Sequence, residues 1–237
     1  MKKNLYLFGL ILLSLSSCSK DENTSSESSS PILVKKIINT INPNDVVILT
    51  YKYDGNKIIS ESDDQGFVST YTYTENVITK IEERVDNKFQ SSKEYTYVNG
   101  KVATQVWKQN YGGTDSYTYT YNSNGTVSYK RTRTGSENTT GMLTFKNGNI
   151  VKNEVFYGGK YPSTVTYIYD YDSKNNPFKN VLGFNLLLET DEDMFSLNNM
   201  IQDGGGFPTF YFTFKYDANG YPIEKKYPSS EFNQYFY

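Results

Sequence analysis

From Tyr51 onward large apolar side chains alternate with small polar ones, and pairs of them two residues apart recur along the chain. The pairs are Tyr51/Tyr53, Tyr71/Tyr73, Tyr95/Tyr97, Tyr119/Tyr121, Leu143/Phe145, Tyr167/Tyr169, Phe214/Tyr216 and Tyr235/Tyr237. Their second members are spaced by 20, 24, 24, 24, 24, 47 and 21 residues, one step being close to twice the unit. A fixed period of this size marks stacked supersecondary units. Turn formers follow the pairs, as in Asp54-Gly55-Asn56, Asn99-Gly100, Asn122-Ser123-Asn124-Gly125, Asn147-Gly148-Asn149 and Asp217-Ala218-Asn219-Gly220. Asn and Gly supply the positive φ of tight hairpin turns. A second run then begins, such as Lys57-Ile58-Ile59 or Lys101-Val102-Ala103, before a looser polar loop. Each unit therefore reads as one β-hairpin, and two strands of about seven residues plus two turns fill the step.

The pattern predicts an all-β fold: a long, curved antiparallel meander of hairpins with a unit of about 24 residues, rolled or barrel-like, with its closure left open. Side chains alternate across a strand, so the paired aromatics share one face while Thr72, Thr96, Thr118 and Thr120 share the other. The aromatic face reads first as packing and only second as a ligand platform. One segment, 175–208, breaks the rhythm. It contains Asn175-Asn176-Pro177-Phe178, the aliphatic run from Val181 to Leu188, the acidic Asp191-Glu192-Asp193 and Gly204-Gly205-Gly206. It reads as a helical or irregular insert covering an apolar face of the sheet, with a ligand gate hinged on its glycines as the sharper reading.

Ahead of the repeats the pattern changes. Lys2 and Lys3 precede a short apolar run, Leu5 to Leu15, and then Leu15-Ser16-Ser17-Cys18. The run is shorter than the roughly 20 apolar residues of a membrane span, so 1–17 reads as a cleaved secretory signal. Leu15-Ser16-Ser17-Cys18 resembles the bacterial lipobox, which implies lipidation at Cys18 and attachment to a membrane through that lipid. Residues 18–31, nearly all serine after Ser19-Lys20-Asp21-Glu22, form a flexible tether, and 32–237 form the hairpin domain. The acidic residues after Cys18 resemble the surface-export signal of Bacteroidetes-type lipoproteins. The location expected is the outer membrane, with the domain exposed at the cell surface.

Composition narrows the chemistry. There are 23 Tyr and 14 Phe against 4 Met, a formal charge of −2 and a pI of about 5.4, so nothing favours nucleic acid as a partner. The 237 residues include no histidine and a single cysteine, Cys18. This removes Ser-His-Asp and Cys-His catalysis, His-ligated metals and intramolecular disulfides. No phosphate-cradling glycine loop is present. Among carboxylates, Asp170, Asp172, Asp191 and Glu192 are the candidates for an acid pair, but they read first as turn and loop acids. Asp170, Asp172, Asn175 and Asn176 could offer oxygens to calcium, yet they lack the spacing and final Glu of a calcium loop. No catalytic site, cofactor or metal is therefore expected.

Tyr51-Lys52-Tyr53-Asp54-Gly55-Asn56-Lys57-Ile58 and Phe214-Lys215-Tyr216-Asp217-Ala218-Asn219-Gly220-Tyr221-Pro222-Ile223 resemble the YD repeat of Rhs-type and teneurin proteins. Other units lack the Asp or the Gly, and Lys or Asn stands where that family has Arg. Nearly the whole chain is similar to Bacteroidetes-type outer-membrane lipoproteins that carry such hairpins after a lipobox and a Ser-rich tether. The resemblance implies a curved antiparallel sheet in the cell envelope and carries no activity with it.

In a meander of hairpins every Asn/Gly turn falls at one edge and every return loop at the other. The return loops are expected to hold Phe67, Phe89, Trp107, Tyr111, Tyr157 and Tyr161, and Trp107, Tyr111, Tyr157 and Tyr161 are the candidate ligand-binding residues. Exposed aromatics beside glycines stack on sugars or bury peptide at little entropic cost. The function expected is surface binding or adhesion toward a glycan or protein. The alternatives are a structural envelope scaffold and, third, a membrane-spanning barrel. Against the last stand the Thr, Ser and Lys residues that alternate with the tyrosines where lipid needs a continuous apolar band.

Overall fold

The computed structural model describes residues 30–190, 193–205 and 208–237. The signal segment, Cys18 and nearly all of the tether lie outside the described residues. The strands are β1 (Lys36–Asn42), β2 (Asp45–Asp54), β3 (Lys57–Ser62), β4 (Phe67–Thr74), β5 (Val77–Val85), β6 (Lys88–Val98), β7 (Lys101–Gln109), β8 (Thr114–Tyr121) and β9 (Val127–Arg133). There follow β10 (Thr139–Lys146), β11 (Asn149–Tyr157), β12 (Ser163–Tyr171), β13 (Met200–Gly204), β14 (Phe210–Tyr211), β15 (Thr213–Tyr216), β16 (Pro222–Lys226) and β17 (Phe232–Phe236). β14 and β15 are halves of one stretch interrupted at Phe212, the first bonded to β13 and the second to β16. All the pairings are antiparallel, and β1 pairs with both β2 and β17, so the ring of strands closes into a barrel. The all-β meander of hairpins is thus the observed fold, in its rolled form.

A recurring irregularity helps the sheet to roll. In five of the Asn/Gly-turn hairpins the register slips by one residue just before the turn, leaving Ile59, Thr79, Ala103, Val151 and Ile223 as the extra residue. Such bulges sharpen the local right-handed twist, and twist repeated at one level lets a sheet meet itself. The tightest turns have the expected chemistry, with positive φ at Asn99-Gly100 and Asn147-Gly148.

Alternation puts the aromatics inside. Tyr51, Tyr71, Tyr95 and Tyr235 are buried, whereas Thr72, Thr96, Thr118 and Thr120 are exposed. The outer face also carries Lys52, Lys80, Arg84, Lys130, Lys152 and Lys215, several of them in exposed ion pairs with Glu82, Glu154 and Glu224.

The two tyrosines of a hairpin do different work. The one nearer the turn bonds the backbone of an adjoining segment: Tyr53 donates to Val34 O (2.7 Å), Tyr97 to Ile78 O (2.6 Å) and Tyr237 to Pro222 O (2.9 Å), while Tyr73 accepts from Ile58 N (3.3 Å). Ile58, Ile78 and Val102, which open the second strands, are essentially inaccessible to solvent. Burial pushes the Tyr73 phenol up to about 12, held back by the Ile58 N–H. The tyrosine farther from the turn reaches polar groups in the lumen.

The insert between β12 and β13 fills the lumen at the end that carries the short turns. It is irregular, with single 3₁₀ turns at Phe184–Leu186 and Asp193–Phe195, and its final residues form β13. Phe178, Val181, Phe184, Leu187 and Phe195 join one buried cluster with Tyr51, Tyr71, Ile78, Tyr95 and Tyr235 of the wall. The Phe178 ring meets Tyr51 edge-on at 5.1 Å, and Phe184 lies 5.7 Å from Tyr71. Bonds to the turns hold the plug in place: Leu182 N to Asn56 O (2.9 Å), Asn175 N to Gly220 O (3.0 Å) and Leu197 N to Asn149 Oδ1 (2.8 Å). The segment expected to cover a face of the sheet is therefore enclosed by it, because a closed ring offers its apolar face only from inside.

Candidate functional site

Above the plug the lumen holds two chambers that share Lys93 and Thr190 in their walls. The larger, of about 440 Å³, is lined by phenylalanines and acids, among them Phe67, Phe212, Phe214, Glu61, Glu83 and Asp203. Glu61 accepts from the Tyr51 (3.2 Å) and Tyr71 (3.4 Å) hydroxyls. Lys225 is also buried there, its ammonium 4.4 Å from the centre of the Phe212 ring and 4.8 Å from that of Tyr227.

The smaller chamber, of about 240 Å³, is lined by Trp107, Tyr117, Tyr119, Tyr129, Tyr157 and Tyr167 together with Gln105, Asn153 and Arg131. Their arrangement follows from register. Gln105, Tyr117, Arg131, Thr139 and Tyr157 are successive cross-strand partners from β7 to β11, so one row of inward side chains spans five strands. Tyr117 and Tyr119 lie on one strand with rings parallel within 8° and centres 6.1 Å apart, which makes an aromatic platform along the wall. Gly141, opposite Tyr129, has no side chain where the Tyr129 ring lies; a Cβ there would fall 2.2 Å from it. Burial pushes the Tyr129 phenol up to about 12.

Lys93, Glu189 and Thr190 line the smaller chamber, and Lys93 and Thr190 line the larger one as well. Glu189, on the plug, accepts from Tyr95 Oη (2.6 Å), Gln105 Nε2 (2.9 Å) and Lys93 Nζ (3.0 Å), and Tyr119 donates to Gln105 Oε1 (2.7 Å). Burial first, and the Glu189 charge second, raise the Tyr95 phenol well above its ordinary range, so it donates a hydrogen bond and does not ionise.

Toward the mouth, Asp115 is 1% exposed and accepts from Arg131 Nη2 at 2.8 Å, with Arg133 Nε at 3.6 Å. A third cavity, of about 260 Å³, adjoins the smaller chamber through Arg131, Thr139 and Tyr157 and adds Arg133 and Glu137.

The structure separates the four candidate aromatics. Trp107 and Tyr157 face the smaller chamber, from β7 and from the last position of β11, while Tyr111 and Tyr161 stand on loop tips, 93% and 80% exposed. Phe67, Phe89, Trp107 and Tyr157 belong to strands and not to return loops, because strands of up to 11 residues run past the seven expected. Tyr117 of the platform and Tyr129 beside it, with Arg131 and Glu189, are residues that the sequence did not single out. The clue lay in Tyr117, Tyr119 and Tyr121, three tyrosines at one parity where other units have two.

Among the described residues the carboxylate candidates, Asp170 and Asp172, line neither chamber. Asp170 is exposed on the outer face. The Asp172 carboxylate accepts from Lys174 N, Asn199 N, Asn199 Nδ2 and the Tyr216 hydroxyl, which leaves it anchoring the plug with no oxygen set aside for calcium. Asp191 and Glu192 lie outside the described residues. Among the described residues no cluster of three or more acids has the geometry to hold a metal ion.

No family model matches the chain, and no curated protein does. Among solved structures, a porin-like protein from Bacteroides uniformis shares the fold: the two are 12% identical, the match covers 87% of this chain and 96% of that one, and the TM-score is 0.51. The likeness is one of fold alone.

Proposed function

We propose that this chain is a lipid-anchored protein of the cell envelope that captures a saccharide in the lumen of a barrel standing in water. The observation that carries this reading is the inversion of the wall, with aromatic rings and hydrogen-bonding groups inside and threonines and ion pairs outside. Flat rings stack on sugar faces, and the amides of Gln105 and Asn153 suit hydroxyls. The plug closes one end, so the lumen works as a cup.

An embedded barrel, which the porin-like neighbour brings to mind, suits the outer face poorly. Each Lys or Arg turned to lipid near the bilayer midplane costs about 2–4 kcal/mol, and Lys80, Lys130 and Lys152 all face outward within their strands. Attachment through Cys18 supplies the membrane association instead. Residues 31–35 are bound at the plugged end, where Asn180 Nδ2 donates to Ile32 O (2.9 Å), which supports a mouth turned away from the bilayer.

The test pairs localisation with binding. Labelled fatty acid should enter the wild type and not Cys18→Ser, and the unlipidated variant should wash from membranes at alkaline pH. On a glycan array Trp107→Ala and Tyr117→Ala should abolish the signal, and Tyr111→Ala on its loop tip should keep it. Retention of the unlipidated variant in the bilayer, or a signal indifferent to the lumen variants, would defeat the reading.

A further inference from the structure

We propose that the saccharide taken by the smaller chamber is acidic, its uronate carboxylate or sulfate ester held by Arg131 and Arg133. The inference rests on the lumen being the binding site, and it names what that site selects. Of the cations around the chamber, Lys93 is matched by Glu189 at 3.0 Å. Arg131 and Arg133 share the single carboxylate of Asp115, at 2.8 and 3.6 Å, which leaves one guanidinium charge uncompensated. Glu137, the other acid at the mouth, is exposed on the loop between β9 and β10, lies against Gly159 and forms no ion pair with either guanidinium.

A second observation is independent of this count. Arg131 Nε and Trp107 Nε1 are both buried N–H donors that make no hydrogen bond. Buried donors are normally paired; these two line the same chamber, the unpaired buried acceptor nearby, Asp115 Oδ1, is 3.6 Å from Arg133 Nε, and the excess positive charge calls for a further acceptor that is itself negative. The Arg131 guanidinium lies over the Tyr117 ring, 5.8 Å from its centre, so a saccharide that enters the chamber meets the aromatic wall and the arginine together. Arginine suits this role because its planar fork matches carboxylate and sulfate oxygens two at a time.

Isothermal titration of the full chain in detergent with trigalacturonate, a sulfated disaccharide and neutral maltotriose tests the proposal. At least one acidic probe should bind about tenfold or more tighter than maltotriose, with an affinity that falls as salt rises. Arg131→Gln and Arg133→Gln should each weaken it by about tenfold or more, and Lys152→Gln on the outer face should leave it unchanged. Which acidic probe binds separates carboxylate from sulfate. Arg131→Gln also strips the buried Asp115 of its nearer partner, so thermal melts accompany each variant and Arg131→Lys, which keeps the charge, should recover part of the affinity. If maltotriose binds as tightly as the acidic probes and Tyr117→Ala abolishes it, the charge selection is wrong and the lumen reading survives. If no saccharide of either kind binds, both are wrong.

Discussion

The same strands build two unlike halves of the lumen. Near the short turns, phenols pair with backbone groups and the plug's phenylalanines and aliphatics fill the space between them. Toward the mouth, ionic and amphipathic side chains join phenylalanines on the inner wall, two buried N–H groups lack acceptors, and cavities of about 440, 240 and 260 Å³ open. Most polar groups of the lower half pair internally, with Asn199 Oδ1 on the plug an exception, whereas the upper half has hydrogen-bonding capacity directed at something other than itself. A barrel wall can therefore divide labour along the strand, with stability at one level and recognition a few residues farther on.

Alkali should break the lower half first and most severely. Tyr53, Tyr97 and Tyr237 have phenol pKa values raised well above the ordinary value, chiefly by burial. Their stabilisation is complete below the unfolded value near 10 and is lost as pH climbs toward the folded values, at about 1.4 kcal/mol per pH unit for each phenol held protonated. Melts from about pH 8 to 12 with phenolate absorbance should show ionisation arriving together with unfolding. Ionisation of most phenols in a barrel that remains folded would mean that the lower half is wet.

Next in size is Phe184→Ala, which empties the centre of the plug and should cost about 3–5 kcal/mol in denaturant unfolding. Glu189→Gln acts at the boundary between the halves. It removes a buried carboxylate from Lys93 and should cost about 2–3 kcal/mol while also changing saccharide affinity. A change in stability alone would assign Glu189 to the lower half. Smallest is Tyr97→Phe, which deletes one phenol-to-carbonyl bond and should cost about 1–2 kcal/mol with binding unaffected. Weakened binding in that variant would show that the two levels are coupled.

Much of this architecture is written locally. The Asn/Gly turns, the two-residue alternation and the 24-residue step specify hairpins with an aromatic and a hydroxyl face, and the structure has them. Closure is not written locally, because it depends on twist summed over the whole sheet. The bulged residues that supply part of that twist, such as Ile59 and Thr79, look like ordinary strand positions. The plug's aliphatic run marks it as a cover, but that it lies inside follows only once the ring exists. The site was legible in part for the same reason. Trp107 and Tyr157 were candidates through their chemistry, but their meeting with Tyr117 and Arg131 depends on register across five strands, which no short stretch of sequence fixes. Tyr111 and Tyr161 share that chemistry and lie outside the lumen.

Joining β1 to β17 has a kinetic corollary. Ile37 faces Tyr235, so that seam closes only when residues 198 positions apart come together. Hairpins between neighbours can form as the polypeptide emerges, but the cup has no rim until β17 arrives, since distant pairings come late in a search dominated by local ones. Until then the nascent protein shows two unpaired strand borders and an uncovered aromatic surface, the period in which escort by a chaperone matters most.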